Sequence, residues 1–221
     1  MSNILRTLAE KAQPRHTALV IVDMQNDFCA QGGYLQRTRA ESGRHPIRVD
    51  ENAAIADRIG ALADGARRSG AAVAWLRSVY DFKYLAEAHV AMRDAEGCCM
   101  EGTWGADFFR IQPREGDIVV DKHTFSGFHE TGLHAQLQER GIRTLVMAGV
   151  ATNVCVDSTL RHGFFLGYHI VVAEDCVGSG NAAGHEGTLS TVRVNFGEVT
   201  TSVELLRLFG KHAPADALSA L

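Results

Sequence analysis

The sequence predicts an α/β domain of three layers, in which a mainly parallel six-stranded sheet lies between two layers of helices. Short runs of apolar and β-branched residues alternate with segments of helical pattern along the 221 residues. Several runs are continuously apolar, which is typical of strands buried on both faces of a parallel sheet. Gly70 and Gly141 stand where helices would end, each just before such a run.

The predicted strands and helices follow one another in the order that this architecture requires. The strands are 18–23, 71–77, 117–121, 144–150, 169–173 and 198–202. The helices are 52–69, 131–140, 153–166 and 203–209. Alternation of this kind implies helices on both faces of the sheet. Because 46% of the residues are hydrophobic, the chain can bury a core without disulfides or a structural metal, and we expect one domain over residues 1–221.

Two long segments do not fit the alternation. The segment 29–50 is rich in glycine and arginine, and we predict an ordered loop there. The segment 82–114 mixes helical and irregular signals. Long connections in a compact domain are often lids or contacts between subunits.

Composition excludes several classes of function. The formal net charge is −4 with both signs mixed along the chain, so no basic stripe indicates a nucleic-acid partner. The sequence has no stretch of about 18 apolar residues that would span a membrane, and its N-terminus lacks the apolar core of a secretory signal. Five cysteines, two of them adjacent, do not form a disulfide framework. We therefore expect a cytoplasmic protein with reduced thiols.

Three chemically reactive residues fall at the carboxyl ends of predicted strands, where open α/β sheets bind ligands. Asp23 ends the first strand, Lys122 follows the third, and Cys155 comes after the fourth, near the start of a helix. Singly, such residues are most often solvated charges or a small buried hydrophobe. Together they are what thiol catalysis needs, because an ammonium and a helix N-terminus lower a thiol pKa and a carboxylate moves the proton.

Four segments carry a resemblance to a known family. They are ALVIVDMQNDF at 18–28, KHTFSGF at 122–128, GVATNVCVDSTLR at 149–161 and AEDCVG at 173–178. In content, order and spacing, the chain resembles the isochorismatase-like cysteine hydrolases over nearly its whole length.

The resemblance implies a Rossmann-like fold and a catalytic triad of Asp23, Lys122 and Cys155. It also implies a cis peptide bond between Val150 and Ala151, and an oxyanion hole made by the backbone N–H groups of Ala151 and Cys155. Members of the family commonly assemble as dimers or tetramers, so a homo-oligomer is expected.

Three other readings compete with a cysteine hydrolase. Cys155 and Arg161 match the C-x5-R pattern of tyrosine phosphatases, but the segment between them has no glycine and reads as helix. Six helical steps of about 100° would put Arg161 about 240° around from Cys155, too far to bind the same anion. Gln25 stands where haloacid-dehalogenase phosphatases need a second aspartate. A non-catalytic binding module of the same fold remains as the alternative from a different class.

Finer motifs indicate the substrate class. Nicotinamidases of the family hold a metal through a D-x-H…H constellation after the second strand, whereas residues 77–81 here read RSVYD. We therefore predict no metal and no cofactor. GGYL at 32–35, GTW at 102–104, SGF at 126–128 and TLRHGFF at 159–165 resemble ureidoacrylate amidohydrolases and enzymes that cleave biuret or carbamoyl groups.

The resemblance thus implies an amidohydrolase that cleaves a C–N bond of a small linear ureide or amide, through a thioester or carbamoyl-enzyme. Isochorismatase and nicotinamidase activity are the alternatives within the family. Aromatic walls suit small planar ureides. The expected substrate-binding residues are Phe28, Tyr34, Tyr80, Trp104, Phe128 and His129. In the segment 36–48, one of Arg37, Arg39, Arg44 and Arg48 could bind a substrate carboxylate, or the segment is a solvated loop.

Overall fold

The computed structural model describes residues 4–42, 48–92 and 97–211. A single sheet of six strands, all paired in parallel, forms the centre in the order β3-β2-β1-β4-β5-β6. The predicted α/β fold with a six-stranded parallel sheet is therefore confirmed. The strands are β1 Thr17–Val22, β2 Ala72–Ser78, β3 Ile118–Lys122, β4 Thr144–Val150, β5 His169–Gly178 and β6 Gly197–Thr200.

Helices connect the strands and cover both faces of the sheet. The α-helices are α1 Leu8–Lys11, α2 Asn26–Cys29, α3 Tyr34–Ser42, α4 Val49–Ser69, α5 Glu87–Val90, α6 Leu133–Glu139, α7 Asp157–Phe165, α8 Ala182–Thr191 and α9 Ser202–Gly210. Short 3-10 turns lie at Pro14–His16, Phe82–Tyr84 and Trp104–Ala106, and π-helical turns at Thr152–Val156 and Val192–Phe196. Among the described residues, no helix combines the length and the apolar character needed to cross a membrane.

The central strand β1 divides the core into two layers. All six of its residues are buried, as the continuously apolar sequence predicts. Leu19 and Ile21 face the layer that contains α4 and α9, while Val20 and Val22 face the layer with α6 and α7. Successive side chains of a strand point to opposite faces, so one apolar run supplies both cores.

The longest helix, α4, follows the predicted pattern. Ile55, Ile59 and Leu62 are buried against the sheet, and Gly70 ends the helix with a left-handed φ of 84°. A residue without a Cβ adopts this conformation without steric cost.

One expectation about local structure was wrong, and one helix was not predicted. The segment 29–50 is not a loop throughout, because α3 occupies Tyr34–Ser42. The helix is polar without a clear apolar stripe, so periodicity could not reveal it; the carboxylate of Asp27 accepts the N–H of Tyr34 at its start. Helix α8 was also missed, because its alanines and glycines leave few large apolar residues to mark a face.

A glycine near the end of β4 packs closely against the end of β1. Gly149 has a φ of 109°, and an added Cβ would overlap the backbone of Val22, its partner on β1. Gly187, on the exposed side of α8, has open space around it and no left-handed φ. The two glycines therefore differ in what a methyl group would meet.

We expect Gly149→Ala to lower the free energy of unfolding by about 3 kcal/mol or more, from backbone overlap and the forced left-handed φ. Gly187→Ala should raise it by about 0.5–1 kcal/mol, because alanine is the better helix former. Urea unfolding followed by circular dichroism measures both. Equal stabilities of the two variants would contradict the packing described for Gly149.

Candidate active site

Four neighbouring strands deliver the reactive side chains to one edge of the sheet. In the order β3-β2-β1-β4, Lys122 is the last residue of β3, Ser78 the last of β2, and Asp23 the first beyond β1. Cys155 lies in the π-helical turn that follows β4. The backbone of Asp23 has a φ of 52°, a left-handed conformation that aspartate adopts more readily than most residues. Parallel pairing is what brings residues so far apart in the chain together.

A buried ion pair occupies the centre of this edge. The ammonium nitrogen of Lys122 lies 2.9 Å from Oδ2 of Asp23, and the two side chains are 0% and 1% exposed. Lys122 Nζ also donates to Ser78 Oγ at 2.8 Å, and Ser78 Oγ donates to Asp23 Oδ1 at 2.9 Å. Oδ2 faces the Lys122 ammonium, and because a carboxylate oxygen has two lone pairs, it keeps a position that can accept a proton.

Burial and mutual attraction set the charge of Lys122. Burial opposes the charged ammonium most strongly, but the neighbouring carboxylate of Asp23 leads the causes that outweigh it, and the pKa of Lys122 lies above its usual value. Lys122 therefore stays protonated at neutral pH and cannot serve as the base. Removing one partner of such a buried pair leaves an uncompensated charge in a low-dielectric site.

The Cys155 thiol is neutral in this environment. Burial raises its pKa most, the Lys122 ammonium lowers it, and the Asp23 carboxylate raises it again, with a net pKa of about 12. The expectation of a thiol with a lowered pKa was therefore wrong in its net direction, although the ammonium acts with the expected sign. Burial and the Asp23 carboxylate outweigh it, so the sulfur needs a proton acceptor at the moment of attack.

The turn that carries Cys155 is held by residues that the sequence did not single out. The peptide bond between Val150 and Ala151 is cis, as the family resemblance implied. Thr152 Oγ hydrogen-bonds His185 Nδ1 at 2.9 Å, and Ser179 Oγ donates to Asn153 Oδ1 at 2.6 Å. These bonds join the turn that carries Cys155 to the segment after β5 and to α8. Nothing in the sequence marks them, because they link residues 26 and 33 positions apart.

Gln25 is a second support that sequence reasoning did not identify. Its buried amide donates to the carbonyls of Ser78 and Ala106, at 2.9 and 2.8 Å, and accepts the N–H of Ser78 at 2.7 Å. The side chain therefore clamps the ends of β1 and β2 together beside the ion pair. A polar residue without titratable charge gives no chemical signal in the sequence.

Asp23 and Cys155 line a cavity of about 470 Å³, a volume typical of small-molecule sites. Both polar and hydrophobic groups on its wall come from several elements, among them α3, α4, α5 and the segment after β5. Its lining includes Phe28, Tyr34, Tyr80, Phe125, Val154, Arg48, Glu51, Asn52, His89, Cys98 and Ser179.

Three of the six expected wall residues lie elsewhere. Phe28, Tyr34 and Tyr80 line the cavity, whereas Trp104, Phe128 and His129 do not. Trp104 is 54% exposed on a 3-10 turn, and Phe128 is buried in the core, stacked on Tyr168 at 5.8 Å. The side chain of His129 is 53% exposed beside Glu130. The structure thus places these three residues outside the cavity lining: Trp104 and His129 are exposed, and Phe128 is packed in the core.

Of the arginines in the segment 36–48, one lines the cavity among the described residues. Arg48 lines the cavity mouth, where its Nη1 lies 2.5 Å from Glu51 Oε1. Arg37 is on α3 and is absent from the lining. The side chain of Arg39 and all of Arg44 lie outside the described residues.

One cluster of potential metal ligands occurs in the described part of the chain. Ligand atoms of Asp27, Cys98 and Cys99 lie within 4.8 Å of one another. Both carboxylate oxygens of Asp27 already accept backbone N–H groups, from Tyr34 and Cys99. The absence of a catalytic metal stays a prediction.

Comparison with known proteins identifies a family and similar proteins for this chain. The family model of the Isochorismatase domain matches residues 17–204. The ureidoacrylate amidohydrolase RutB of Klebsiella pneumoniae (strain 342) is 36% identical over 206 residues, which cover 85% of this chain and 84% of that protein.

Two solved structures share the fold. A cysteine hydrolase from Pseudomonas syringae pv. phaseolicola has a TM-score of 0.81 at 27% identity, covering 96% of this chain and 100% of the other. The N-carbamoylsarcosine amidase of Thermoplasma acidophilum has a TM-score of 0.66 at 28% identity, covering 84% of this chain and 96% of the other.

The raised pKa of Cys155 predicts how the thiol reacts with pH. Because the thiolate fraction is small until the pH approaches about 12, the rate of alkylation by iodoacetamide should rise about tenfold per pH unit from roughly pH 7 to 10, without a plateau. Mass spectrometry of the Cys155 peptide measures the rate, and the urea-unfolded chain, which should level off near pH 9, is the control. A plateau below about pH 8 in the folded protein would mean that the resting enzyme holds a thiolate.

Proposed function

The chain belongs to the isochorismatase family of hydrolases, and from that premise we propose that it is a cysteine-dependent amidohydrolase that cleaves a C–N bond of a small linear ureide or amide. One observation carries the proposal. A buried carboxylate, fixed by a buried ammonium, lies with the Cys155 thiol on the wall of a cavity of about 470 Å³. Such a set serves a reaction that moves a proton twice, first from the thiol and then to a leaving nitrogen.

In the first step Asp23 takes the thiol proton while the sulfur attacks the carbonyl carbon of the substrate. The free acceptor position on Asp23 Oδ2 suits this role. Lys122 keeps its own proton, and its positive charge stabilises the thiolate as it forms. The lowering effect of Lys122 on the pKa of Cys155 supports this division of roles.

The tetrahedral intermediate carries negative charge on the former carbonyl oxygen. We assign its stabilisation to the backbone N–H groups of Ala151 and Cys155, at the start of the turn Thr152–Val156. Fixed N–H donors stabilise such an oxyanion without reorganisation, and removal of one donor from an oxyanion hole typically costs about 10²–10³-fold in rate.

Collapse of the intermediate completes the reaction. Asp23 returns its proton to the departing nitrogen as the C–N bond breaks, which leaves an acyl- or carbamoyl-enzyme on the sulfur. Water then attacks this thioester with Asp23 as the base. The products are the amine or ammonia and the acid or carbamate, and the thiol regains its proton.

The finer substrate proposal is a ureide that bears a carboxylate, of the ureidoacrylate or N-carbamoyl type. It is supported by the names of the relatives, an amidohydrolase of ureidoacrylate and an amidase of N-carbamoylsarcosine. It is also supported by Arg48 at the cavity mouth. The Arg48–Glu51 pair is exposed, with side chains 59% and 57% accessible, and exposed pairs contribute little, so a substrate carboxylate can compete for the guanidinium.

Replacement of the nucleophile tests the proposal directly. Cys155→Ala should lower kcat for ureide hydrolysis by at least about 10³-fold, because the sulfur that attacks the carbonyl carbon is lost. Calorimetric titration should still detect substrate binding. The matched control is Cys176→Ala, which removes another buried thiol, in β5 and outside the cavity lining, and should keep near-normal turnover. Near-normal activity of Cys155→Ala would refute the mechanism.

A substrate panel tests the carboxylate proposal together with Arg48. Ureidoacrylate, an N-carbamoyl amino acid, biuret, nicotinamide and isochorismate are assayed side by side. We expect Arg48→Ala to lower kcat/KM about 10–100-fold for substrates with a carboxylate, the value of one charge-assisted hydrogen bond.

Biuret, which has no carboxylate, should be hydrolysed equally well by the unmodified protein and by Arg48→Ala. Arg110→Ala is the control, since Arg110 forms another exposed ion pair, with Asp57, outside the cavity lining. Turnover of nicotinamide or isochorismate alone would contradict the ureide proposal, and an equal loss on biuret would remove Arg48 from carboxylate recognition.

A further inference from the structure

Tyr80 stands beside the catalytic groups but has no place in the triad. It lies two residues beyond β2, and its side chain is 1% exposed. Its N–H donates to the carbonyl of Cys99 at 3.0 Å, and its ring packs edge-on against Phe28 at 6.3 Å. Backbone and ring are thus both held, so the position of the hydroxyl is well defined.

The hydroxyl of Tyr80 lies among several polar groups, of which Ser78 is one. Lys122 Nζ donates to it at 3.3 Å, the carbonyl oxygen of Thr124 lies 3.3 Å away, and the sulfur of Cys155 lies 3.8 Å away. A phenol has one proton to donate. It can give that proton to the Thr124 carbonyl or to the sulfur, while its oxygen continues to accept from Lys122.

The charge on the sulfur decides between the two acceptors. A neutral thiol is a weak acceptor, so in the resting state the proton goes to the Thr124 carbonyl. Once Asp23 has taken the thiol proton, the charged sulfur becomes the stronger acceptor. The Thr124 carbonyl then still has a hydrogen-bond donor, because Lys122 Nζ also donates to it at 3.1 Å.

We propose that Tyr80 is a fourth catalytic residue, whose hydroxyl donates a hydrogen bond to the Cys155 sulfur as the thiolate forms and returns to the Thr124 carbonyl after attack. The proposal rests on the proposed role of Cys155 as nucleophile. No proton leaves the phenol: the thiol proton goes to Asp23, and the electron pair freed on sulfur forms the bond to the substrate carbon. Burial holds the pKa of Tyr80 well above its usual value, so the group remains a donor throughout the working range.

Tyr80→Phe removes the hydroxyl and keeps the ring. Loss of one hydrogen bond to a charged group should raise the pKa of Cys155 by about one unit or more. Alkylation of Cys155 at a fixed pH between about 7 and 10 should then slow by about tenfold or more. We expect kcat to fall about 10–100-fold with KM changed less than about threefold, since the bond forms with the thiolate and not with the substrate.

Two further variants make the test specific. Tyr168→Phe removes a hydroxyl from another buried tyrosine, one that bonds Gln138 outside the cavity lining, and it should leave the alkylation profile unchanged. Replacement of Tyr80 by 3-fluorotyrosine keeps the shape and strengthens the donor, so it should accelerate alkylation at the same pH. This second variant decides the matter if Tyr80→Phe folds poorly.

The outcomes separate this proposal from the proposed function. If the alkylation rate is unchanged in both Tyr80 variants, the proposed role of Tyr80 is wrong. Loss of activity in Cys155→Ala would in that case still support Cys155 as the nucleophile. A loss of kcat in Tyr80→Phe without any change in the alkylation profile would also overturn it, because a merely structural residue behaves that way. An active Cys155→Ala would refute the proposed function itself, and the Tyr80 proposal with it.

Discussion

The buried ion pair between Lys122 and Asp23 is the constraint on which the active edge of the sheet depends. Two charges that are 0% and 1% exposed have lost nearly all their water, and such a pair is tolerated only where further hydrogen bonds satisfy both groups. Ser78 bonds both partners, the Thr124 carbonyl accepts from the ammonium, and Gln25 holds the strand ends that carry them. Each of these residues reaches the pair because β3, β2 and β1 are adjacent in the sheet.

The same loss of water sets the protonation state of the Cys155 thiol. Burial keeps the Cys155 thiol protonated against the pull of Lys122. A protonated thiol reacts slowly with oxidants and alkylating agents, because the thiolate is the reactive form. In the proposed mechanism the sulfur therefore becomes reactive only when a substrate carbonyl is in place and Asp23 takes the thiol proton. In the proposed mechanism Lys122 orients Asp23 and stabilises the thiolate as it forms, while its raised pKa keeps its own proton in place.

The sequence predicted the elements that have a clear pattern of apolar and polar residues, and missed the helices that lack one. Strand β1 reads as continuously apolar, and α4 repeats Ile55, Ile59 and Leu62 on one face, so both were found within a few residues of their bounds. Helix α3 is polar and α8 is made largely of small residues, so neither shows a helical period of large apolar residues. Their helical state depends on caps and contacts with other segments, such as Asp27 on Tyr34.

The sequence by itself determined the fold class, the family and the candidate triad, because apolar runs and chemically reactive residues are local and recur in a specific order. The tertiary structure alone decided which aromatics form the cavity wall: Tyr80 points at the sulfur, whereas Trp104 is solvated and Phe128 fills the core. It also decided the direction of the thiol pKa, since burial in a completed fold outweighs a neighbouring charge. Both depend on how distant segments pack and exclude water, which no local pattern of residues records.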